Sequence, residues 1–356
     1  MRFVFLGLSI TSSWGNGHAT NYRALVRELD ARGHDVLFLE RDMPWYAARR
    51  DLPAPPWGTT ELYGSVDDLR NRFTDAVAAA DVVVVGSYVP DGVAVGEWAL
   101  DVAGGAVAFW DIDTPVTVAK LERGDDEYLS RALVPRFDLY LSFTGGPLLE
   151  RIGEEFGAGN ARAFYCMADP DAYRPLDEEE RWLLGYLGTY SDDRQPGLET
   201  LLVEPARRLA GERFAVAGPQ YPPELVWPDN VERIEHLAPA EHVPFYARQR
   251  FALNVTRAAM IESGWSPSVR LFEAAACGVP VISDMWDGLD SFFRPGAEIL
   301  TAASSEAVVE LVLGLSADDA QVVGAAARER VLAEHTPSRR AEELEAHVAA
   351  LVPVAT

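Results

Sequence analysis

The sequence predicts an α/β protein with two successive doubly wound, Rossmann-like domains. Residues 2–40 contain a short apolar strand, a glycine-bearing loop, an amphipathic helix and a second strand, which together make one βαβ unit of such a fold. A second strand and helix alternation begins after residues 168–180, a segment that is acidic and interrupted by prolines. The 356 residues are enough to give each domain its own core. We therefore expect one domain over residues 1–170 and a second over residues 171–337.

The first domain begins with a strand at residues 2–8 and a small-residue loop at residues 11–18. The next helix, over residues 20–32, has apolar side chains at a helical period and ends before Gly33. Residues 52–64 are rich in proline and are expected to form an irregular loop. The remaining strands are expected at residues 35–40, 82–85, 106–110, 139–142 and 163–165, and the remaining helices at residues 67–80, 92–102 and 147–156.

The second domain repeats the alternation. Strands are expected at residues 183–187, 214–217, 231–235 and 251–255, and helices at residues 196–210, 240–248, 305–313 and 318–334. Residues 338–351 are expected to form a terminal amphipathic helix.

Residues 254–284 form the stretch around which the second domain is organised, and they predict a strand, a loop, a helix and a strand. Ser266 is a good N-cap, Pro267 a good first helical residue, and Gly278 a good end. The start of such a helix at the mouth of a parallel sheet is a ready anion site. Glu273 follows Ser266 by two helical turns, roughly 10 Å along the same face, which suits a phosphate at the cap and a sugar diol at the carboxylate. The alternative is an ordinary helix on which Glu273 pairs with Arg270.

The composition excludes several partner classes. A net charge of −24 argues against nucleic acids and anionic membranes, which are themselves densely negative. Lys120 is the one lysine among 31 basic residues, and this arginine bias is typical of a GC-rich bacterium. Cys166 and Cys277 give neither a disulfide framework nor metal-ligand spacing. The chain enters a strand at once and contains no membrane-length apolar run, so a cytoplasmic location is expected.

Four motifs carry a family resemblance that spans essentially the whole chain. They are residues 110–115 (WDIDTP), 169–175 (DPDAYRP), 186–190 (YLGTY) and, most of all, 266–284. With these motifs the chain resembles the GT-B glycosyltransferases, and most closely the CgeB-type branch of bacterial proteins related to the glycosyl transferases group 1 superfamily. The resemblance implies two Rossmann-like domains that face each other across a cleft, with a terminal helix at residues 338–352 that crosses back to the first domain.

The resemblance also implies an activity. A hexosyltransferase-type enzyme of this kind takes a nucleotide-diphosphate sugar on its second domain and a small-molecule or glycan hydroxyl on its first, with neither a cofactor nor a metal. Glu273 aligns with the second glutamate of the family's paired-glutamate motif, whose carboxylate binds the ribose hydroxyls of the donor. The first glutamate of the pair would fall near Trp265, so this chain departs from the family's pattern where the transferred sugar is recognised.

The other donor-binding candidates lie near the same helix. Ser268 and Arg270 belong to its start, together with Ser266. Arg257 ends a strand on the side where open α/β sheets bind ligands, and its guanidinium suits a diphosphate leaving group. An ion pair with one of the many acids is the competing interpretation. Further candidates follow the first strand of the second domain, where the alternative is a simple polar turn: Thr189, Ser191 and Arg194.

The loop after the first strand supplies candidates on the acceptor side. His18 is the leading candidate to orient or deprotonate the acceptor hydroxyl, because imidazole titrates near neutrality. It fits equally well as a helix cap or as a contact to the donor sugar. Gly17 is a candidate to bind the donor, and Asn16 is a candidate acceptor-side residue. Glu40 does not complete a dinucleotide fingerprint, because the full glycine spacing is missing.

Asp111 and Asp113 resemble the Asp-x-Asp metal motif of a different transferase fold. On a GT-B fold we expect them to be acceptor-side residues or a cap for the helix near Pro115, with Asp113 as the second candidate base. Two alternatives to a transferase stay open, a sugar-nucleotide epimerase on the same fold and a non-catalytic nucleotide-sugar binding protein.

Overall fold

The computed structural model describes residues 1–15 and 17–351 and divides the chain into two compact units. The first unit comprises Met1–Cys166 together with the C-terminal segment that begins at Pro337, and the second comprises Met167–Thr336. Both are built on parallel sheets. Within these described residues, no helix combines the length and the apolar character needed to cross a membrane.

The first unit contains a seven-stranded parallel sheet in the order β3-β2-β1-β4-β5-β6-β7. The strands are β1 (Arg2–Gly7), β2 (Asp35–Arg41), β3 (Thr59–Tyr63), β4 (Val82–Gly86), β5 (Ala106–Asp111), β6 (Leu139–Ser142) and β7 (Ala161–Ala163). The helices are α1 (His18–Ala31), α2 (Pro44–Ala47), α3 (Val66–Ala78), α4 (Gly92–Val102), α5 (Thr114–Glu122) and α6 (Gly146–Phe156), with a 3-10 turn at Val134–Arg136.

The second unit contains a six-stranded parallel sheet in the order β10-β9-β8-β11-β12-β13. The strands are β8 (Trp182–Leu187), β9 (Phe214–Ala217), β10 (Val231–Ile234), β11 (Gln249–Asn254), β12 (Val281–Ser283) and β13 (Leu300–Thr301). The helices are α7 (Gln195–Leu198) and α8 (Glu204–Arg208), which a π-helical turn at Glu199–Val203 joins, then α9 (Pro239–Ala247), α10 (Ala258–Ser263), α11 (Val269–Ala276), α12 (Leu289–Phe292), α13 (Ser305–Gly314) and α14 (Ala317–Glu334).

The strand orders determine where each unit binds ligands. In each sheet the first strand of the unit lies inside, β1 between β2 and β4 and β8 between β9 and β11. The order of connection reverses at these strands, and open α/β sheets bind ligands beyond the carboxyl ends of the strands at such a point. The relevant loops are therefore those after β1, β4 and β5 in the first unit and those after β8, β11 and β12 in the second.

The prediction of an irregular loop over residues 52–64 was wrong at its end. Thr59–Tyr63 forms the edge strand β3, which pairs with β2. Its sequence, TTELY, contains β-branched and aromatic residues, and these favour a half-buried strand once the prolines have passed.

Helix α11 begins later than predicted. The first helical residue is Val269 and the N-cap position belongs to Ser268, not Ser266. Trp265 has φ of 41° and donates its N–H to the carbonyl of Asp287 at 2.6 Å. This bond turns the chain before Ser266, and the residue before a proline is biased toward extended backbone. The helix therefore starts only after Pro267.

The end of α11 follows the prediction. Gly278 has φ of 74° and donates its N–H to the carbonyl of Ala275 at 2.8 Å, while Val279 donates to Ala274 at 3.2 Å. A left-handed glycine with this pair of bonds satisfies carbonyls that a helix end leaves unpaired.

The C-terminal helix α15 (Pro337–Leu351) returns to the first unit, as predicted, and packs against α1. Arg32 donates to both carboxylate oxygens of Glu345, at 2.9 and 2.8 Å, and the Nε2 atom of His34 lies 2.7 Å from the same carboxylate. Arg340 donates to the carbonyl of Tyr165 at 2.9 Å. Residue 352, which the prediction included in this helix, lies outside the described residues.

Candidate active site

Arg270 lies at the carboxyl ends of β8 and β11. It belongs to the first turn of α11 and is 9% exposed. Its guanidinium donates to the Asn254 side chain at 3.0 Å and to the carbonyl of Leu187, and it lies 4.5 Å from the ring of Tyr186. A Cβ at Gly188 would lie 2.6 Å from its Nη2 atom. The structure therefore fixes one positive charge against the backbone of the loop after β8.

A second arginine, Arg194, lies within electrostatic range of both Arg270 and Arg257. Arg194 donates to the carbonyl of Thr189 at 2.7 Å, and its Nε atom has no hydrogen-bond partner in the part of the chain that the structure describes. Burial lowers the pKa of Arg194, and the positive charges of Arg270 and Arg257 lower it further. The Arg194 guanidinium thus interacts with two other guanidinium groups in a chain whose net charge is −24.

Arg257 lies beside an acidic residue, as the alternative interpretation of an ion pair predicted. The Nε atom of Arg257 lies 3.6 Å from a carboxylate oxygen of Asp193, and 36% of the arginine side chain is exposed. Asp193 also accepts hydrogen bonds from the Ser191 hydroxyl and from the N–H of Ala258. Although burial opposes them, these bonds and the charges of Arg257 and Arg194 lower the pKa of Asp193. Ser191 therefore binds a neighbouring acid in the structure.

Glu273 is buried on α11 beside two tyrosines. Its carboxylate accepts a hydrogen bond of 3.4 Å from the hydroxyl of Tyr246. Burial, and then the charge of Glu273, raise the pKa of Tyr173 well above its ordinary value, and the Tyr173 hydroxyl lies 3.2 Å from Nδ1 of His242. Within residues 17–351 the Glu273 carboxylate thus interacts with tyrosine hydroxyls and does not pair with Arg270. The sequence contained one signal of this arrangement, because Tyr173 belongs to the motif at residues 169–175.

The sequence analysis missed Asp284, which connects the loops after β11 and β12. Its carboxylate accepts the N–H of Thr256 at 2.9 Å and the hydroxyl of Thr256 at 2.7 Å. Burial raises the pKa of Asp284 despite these bonds. Since Thr256 directly precedes Arg257, Asp284 fixes the backbone from which that arginine extends.

Trp265 occupies the position where the family's first glutamate would fall. A Cβ at Gly288 would lie 2.5 Å from Cγ of this tryptophan, so the indole lies directly on the glycine backbone. Gly264, with φ of 63°, lies close to Asp287, whose carbonyl oxygen would be 2.9 Å from a Cβ at this glycine. The structure therefore places an aromatic ring against Gly288 at this position.

In the first unit, Glu40 holds the loop after β1. Its carboxylate accepts hydrogen bonds from the N–H of Ile10 at 2.7 Å and from the N–H and hydroxyl of Thr11 at 2.9 and 2.6 Å. The Ser12 hydroxyl donates to the carbonyl of Arg49 at 2.7 Å. The bonds to Glu40 are buried, so Glu40 orders the loop that leads into α1.

His18 is the first residue of α1, with Gly17 at the N-cap position; Asn16 lies outside the described residues. The imidazole packs edge-on against Tyr88, with ring centroids 5.4 Å apart. Burial lowers the pKa of His18 to about 4, so the ring is neutral at neutral pH. Its Nδ1 atom has no hydrogen-bond partner in the described part of the chain.

The two aspartates of the Asp-x-Asp motif lie in different environments. Asp113 is partly exposed at the N-cap position of α5, where its side chain makes no capping bond and instead accepts the hydroxyl of Tyr88 at 3.1 Å. Asp111 is fully buried and accepts bonds from the hydroxyls of Thr117 and Tyr140, both at 2.6 Å. It also accepts the N–H of Asp113 at 3.3 Å. Asp111 therefore supports Asp113 from inside the unit, where we had expected an acceptor-side position.

Across residues 1–15 and 17–351, no group of three or more His, Cys, Asp or Glu side chains is arranged to hold a metal ion.

One family model matches the part of the chain that contains the arginines and Glu273. Residues 194–346 match the model described as glycosyl transferase-like, and this span contains Arg194, Arg257, Arg270 and Glu273. The match covers one part of the chain and describes that part as glycosyl transferase-like. The prediction of a glycosyltransferase is confirmed at the level of this domain. A comparison of the sequence with curated proteins gives no significant match.

Solved structures similar to the whole chain place the glycosyl transferase-like domain in a larger fold. Sucrose-phosphate synthase from Thermosynechococcus elongatus is 15% identical, with a TM-score of 0.68 and 98% of each chain covered. HepE from Anabaena, in complex with UDP-glucose, is 12% identical, with a TM-score of 0.71 over 98% of this chain and 100% of that one. An alpha-glucosyltransferase in complex with UDP is 13% identical, with a TM-score of 0.70 and the same coverage. At these identities the likeness establishes the fold, and the predicted GT-B fold is confirmed.

The buried position of Asp111 makes the stability of the unit to which it belongs depend on pH. Burial raises the pKa of Asp111 to about 6, although hydrogen bonds from Thr117 and Tyr140 act in the opposite direction. Because the folded pKa exceeds the unfolded one, stability is greatest below about pH 4 and falls as the pH rises through about 6. We expect the wild type to lose about 3 kcal/mol over this range from Asp111 alone, and Asp111→Asn to lack this loss.

Urea unfolding at pH 4, 5, 6 and 7 checks this expectation. As the pH falls, the free energy of unfolding of the wild type should rise relative to that of Asp111→Asn. Asp75→Asn, which changes an exposed aspartate of α3, is the matched control and should show a constant difference. A constant difference for Asp111→Asn would mean that its carboxyl group titrates alike in the folded and unfolded chain.

Proposed function

We propose that this protein is a glycosyltransferase that moves a sugar from a nucleotide-diphosphate sugar to a hydroxyl group of a small-molecule or glycan acceptor. The observation that carries the proposal is the group formed by Arg194, Arg257 and Arg270, beside the start of α11. Guanidinium groups bind phosphate oxygens with paired hydrogen bonds, and helix starts favour anions. Three such charges at the carboxyl ends of β8 and β11 suit a diphosphate better than a single phosphate.

The donor is assigned to the second unit. Its diphosphate would lie against the three arginines and the loop from Gly188 to Ser191, and its ribose hydroxyls against Glu273. HepE, which shares the fold, is described in complex with UDP-glucose. UDP-glucose is therefore the first donor to test.

The proposed reaction displaces a nucleotide diphosphate. The acceptor oxygen bonds to the anomeric carbon, and the bond between that carbon and the diphosphate oxygen breaks with its electron pair. The acceptor proton passes to His18 or Asp113 of the first unit. The arginines stabilise the charge that develops on the departing diphosphate, so the proposed reaction is metal-independent.

Finer assignments rest on the sequence. The motifs at residues 110–115, 169–175 and 186–190 support a place in the CgeB-type branch. The charge of −24 supports the absence of a nucleic-acid partner. An alpha-glucosyltransferase of the same fold is described in complex with UDP and DNA, so this absence stays a prediction. The bacterial source and the cytoplasmic location also stay predictions.

Calorimetry tests the donor first. UDP, GDP, dTDP, ADP and their glucose conjugates are titrated with magnesium and with a chelator, and a single base that binds in both conditions supports the proposal. Nucleotide release in the presence of sugar and phenol acceptors then tests transfer. Conversion of the donor sugar without nucleotide release would identify an epimerase. Binding without any turnover would identify a nucleotide-sugar binding protein.

The role of Glu273 gives a specific prediction. Glu273→Ala should weaken UDP binding by about 10- to 100-fold, which corresponds to the loss of one hydrogen bond to a charged group. The wild type should prefer UDP to 2′,3′-dideoxy-UDP, and the variant should bind both alike, since only the ribose hydroxyls distinguish these ligands. Glu310→Ala, an exposed glutamate of α13, is the control. Retention of the wild-type preference by Glu273→Ala would rule out the ribose contact.

A further inference from the structure

Tyr88 follows β4 in a backbone conformation that a bulky side chain rarely adopts. Its φ is 62°, and Asp91, three residues later, has φ of 56°. The turn is fixed to the residues after β5, because Ser87 donates its N–H to the carbonyl of Trp110 at 2.9 Å and accepts the N–H of Ile112 at 3.0 Å. Left-handed non-glycine residues that the surrounding structure holds in place occur preferentially at functional sites.

The side chain of Tyr88 contacts both catalytic candidates of the first unit. Its hydroxyl donates to Asp113 at 3.1 Å, and its ring meets the His18 ring edge-on, with centroids 5.4 Å apart and planes at 73°. Tyr128 packs on Tyr88 with ring centroids 4.6 Å apart. The Tyr88 hydroxyl also interacts with the Tyr128 side chain, and its hydrogen bond to Asp113 is directed at a partly exposed carboxylate at the carboxyl edge of the sheet.

We propose that Tyr88 is a positioning residue of the acceptor side, which holds Asp113 through its hydroxyl and His18 through its ring. This inference rests on the proposed function. The acceptor proton goes to His18 or Asp113, as described above, and Tyr88 keeps its own proton throughout. Burial, and then the charge of Asp113, raise the pKa of Tyr88 well above its ordinary value, so the hydroxyl remains a donor. The other titratable groups around it are Asp111 and Tyr128.

Tyr88→Phe tests the proposal, because it keeps the ring and removes the hydroxyl. UDP release from UDP-glucose is measured with the best acceptor of the wild type, or with water. We expect kcat to fall about 10- to 100-fold, as for one hydrogen bond to a charged group, with the KM for UDP-glucose unchanged. The acidic limb of the pH profile should move to higher pH, since a donor that favours the ionised carboxylate is lost. Tyr63→Phe is the matched control, because the buried Tyr63 hydroxyl has no hydrogen-bond partner among the described residues.

A double mutant shows whether Tyr88 acts through Asp113. Tyr88→Phe should slow the wild type but leave Asp113→Ala no slower than it already is, because each change removes the hydrogen bond between the Tyr88 hydroxyl and the Asp113 side chain. A wild-type kcat and pH profile in Tyr88→Phe would overturn the inference, and so would an equal loss in both backgrounds. If the wild type binds UDP-glucose but releases no UDP with any acceptor or with water, the proposed function itself is overturned.

Discussion

Arg270→Ala is expected to weaken UDP-glucose binding by about 10- to 100-fold and to lower the free energy of unfolding by about 2 to 6 kcal/mol. The binding loss follows from removing a charged donor that lies against the Gly188 backbone. The stability loss follows because the side chain of Asn254 and the carbonyl of Leu187 lose a buried donor. Each unsatisfied group of this kind costs about 1 to 3 kcal/mol.

A matched arginine separates the two effects. Arg328 donates to the carbonyl of Ala276 at 3.1 Å, at the opposite end of α11 from Arg270. Arg328→Ala should therefore lose stability and keep its affinity for UDP-glucose. Calorimetry and urea unfolding of both variants provide the comparison. If Arg270→Ala binds UDP-glucose as tightly as Arg328→Ala does, the diphosphate does not lie at Arg270.

The features of α11 that depend on nearby residues could be predicted from the sequence. Gly278 ends the helix because a left-handed residue is needed directly after it, and the bonds that it makes reach only a few residues back. Arg270 and Glu273 were assigned to one helix by spacing alone. The start of the helix could not be predicted, because the turn at Trp265 depends on the carbonyl of Asp287, which is remote in the sequence.

The partners of the site residues depend on tertiary contacts, and sequence spacing does not reveal them. Glu273 binds the hydroxyl of Tyr246, which the chain brings to it from α9. Asp111 and Asp113 are two positions apart, yet Tyr140 from a neighbouring strand encloses only Asp111. The backbone conformation of Tyr88 gives no signal in its residue type. Pattern reasoning therefore found the candidate positions, and the structure was needed to distinguish supporting residues from exposed ones.

His18→Gln is expected to reduce kcat by about 10²- to 10⁴-fold, the usual contribution of a group that transfers a proton in the transition state. Binding of UDP-glucose should not change, because the donor is assigned to the second unit. His347→Gln is the control for activity, since burial also lowers the pKa of His347, on α15 of the same unit. UDP release and calorimetry on both variants separate a loss of transfer from a loss of donor binding.

The same substitution should change how stability depends on pH. The folded pKa of His18, about 4, lies below its unfolded value of 6.5. Stability is therefore fully present above pH 6.5 and is lost as the pH falls toward 4, by about 3 kcal/mol, and His18→Gln should lack this loss. Asp111 acts in the opposite direction over nearly the same range, so the wild type alone should show a shallow profile. His18→Gln should become more stable than the wild type as the pH falls, whereas Asp111→Asn should become less stable. A His18→Gln variant that loses activity but keeps the wild-type pH profile would leave the catalytic role intact and show that the imidazole is not desolvated.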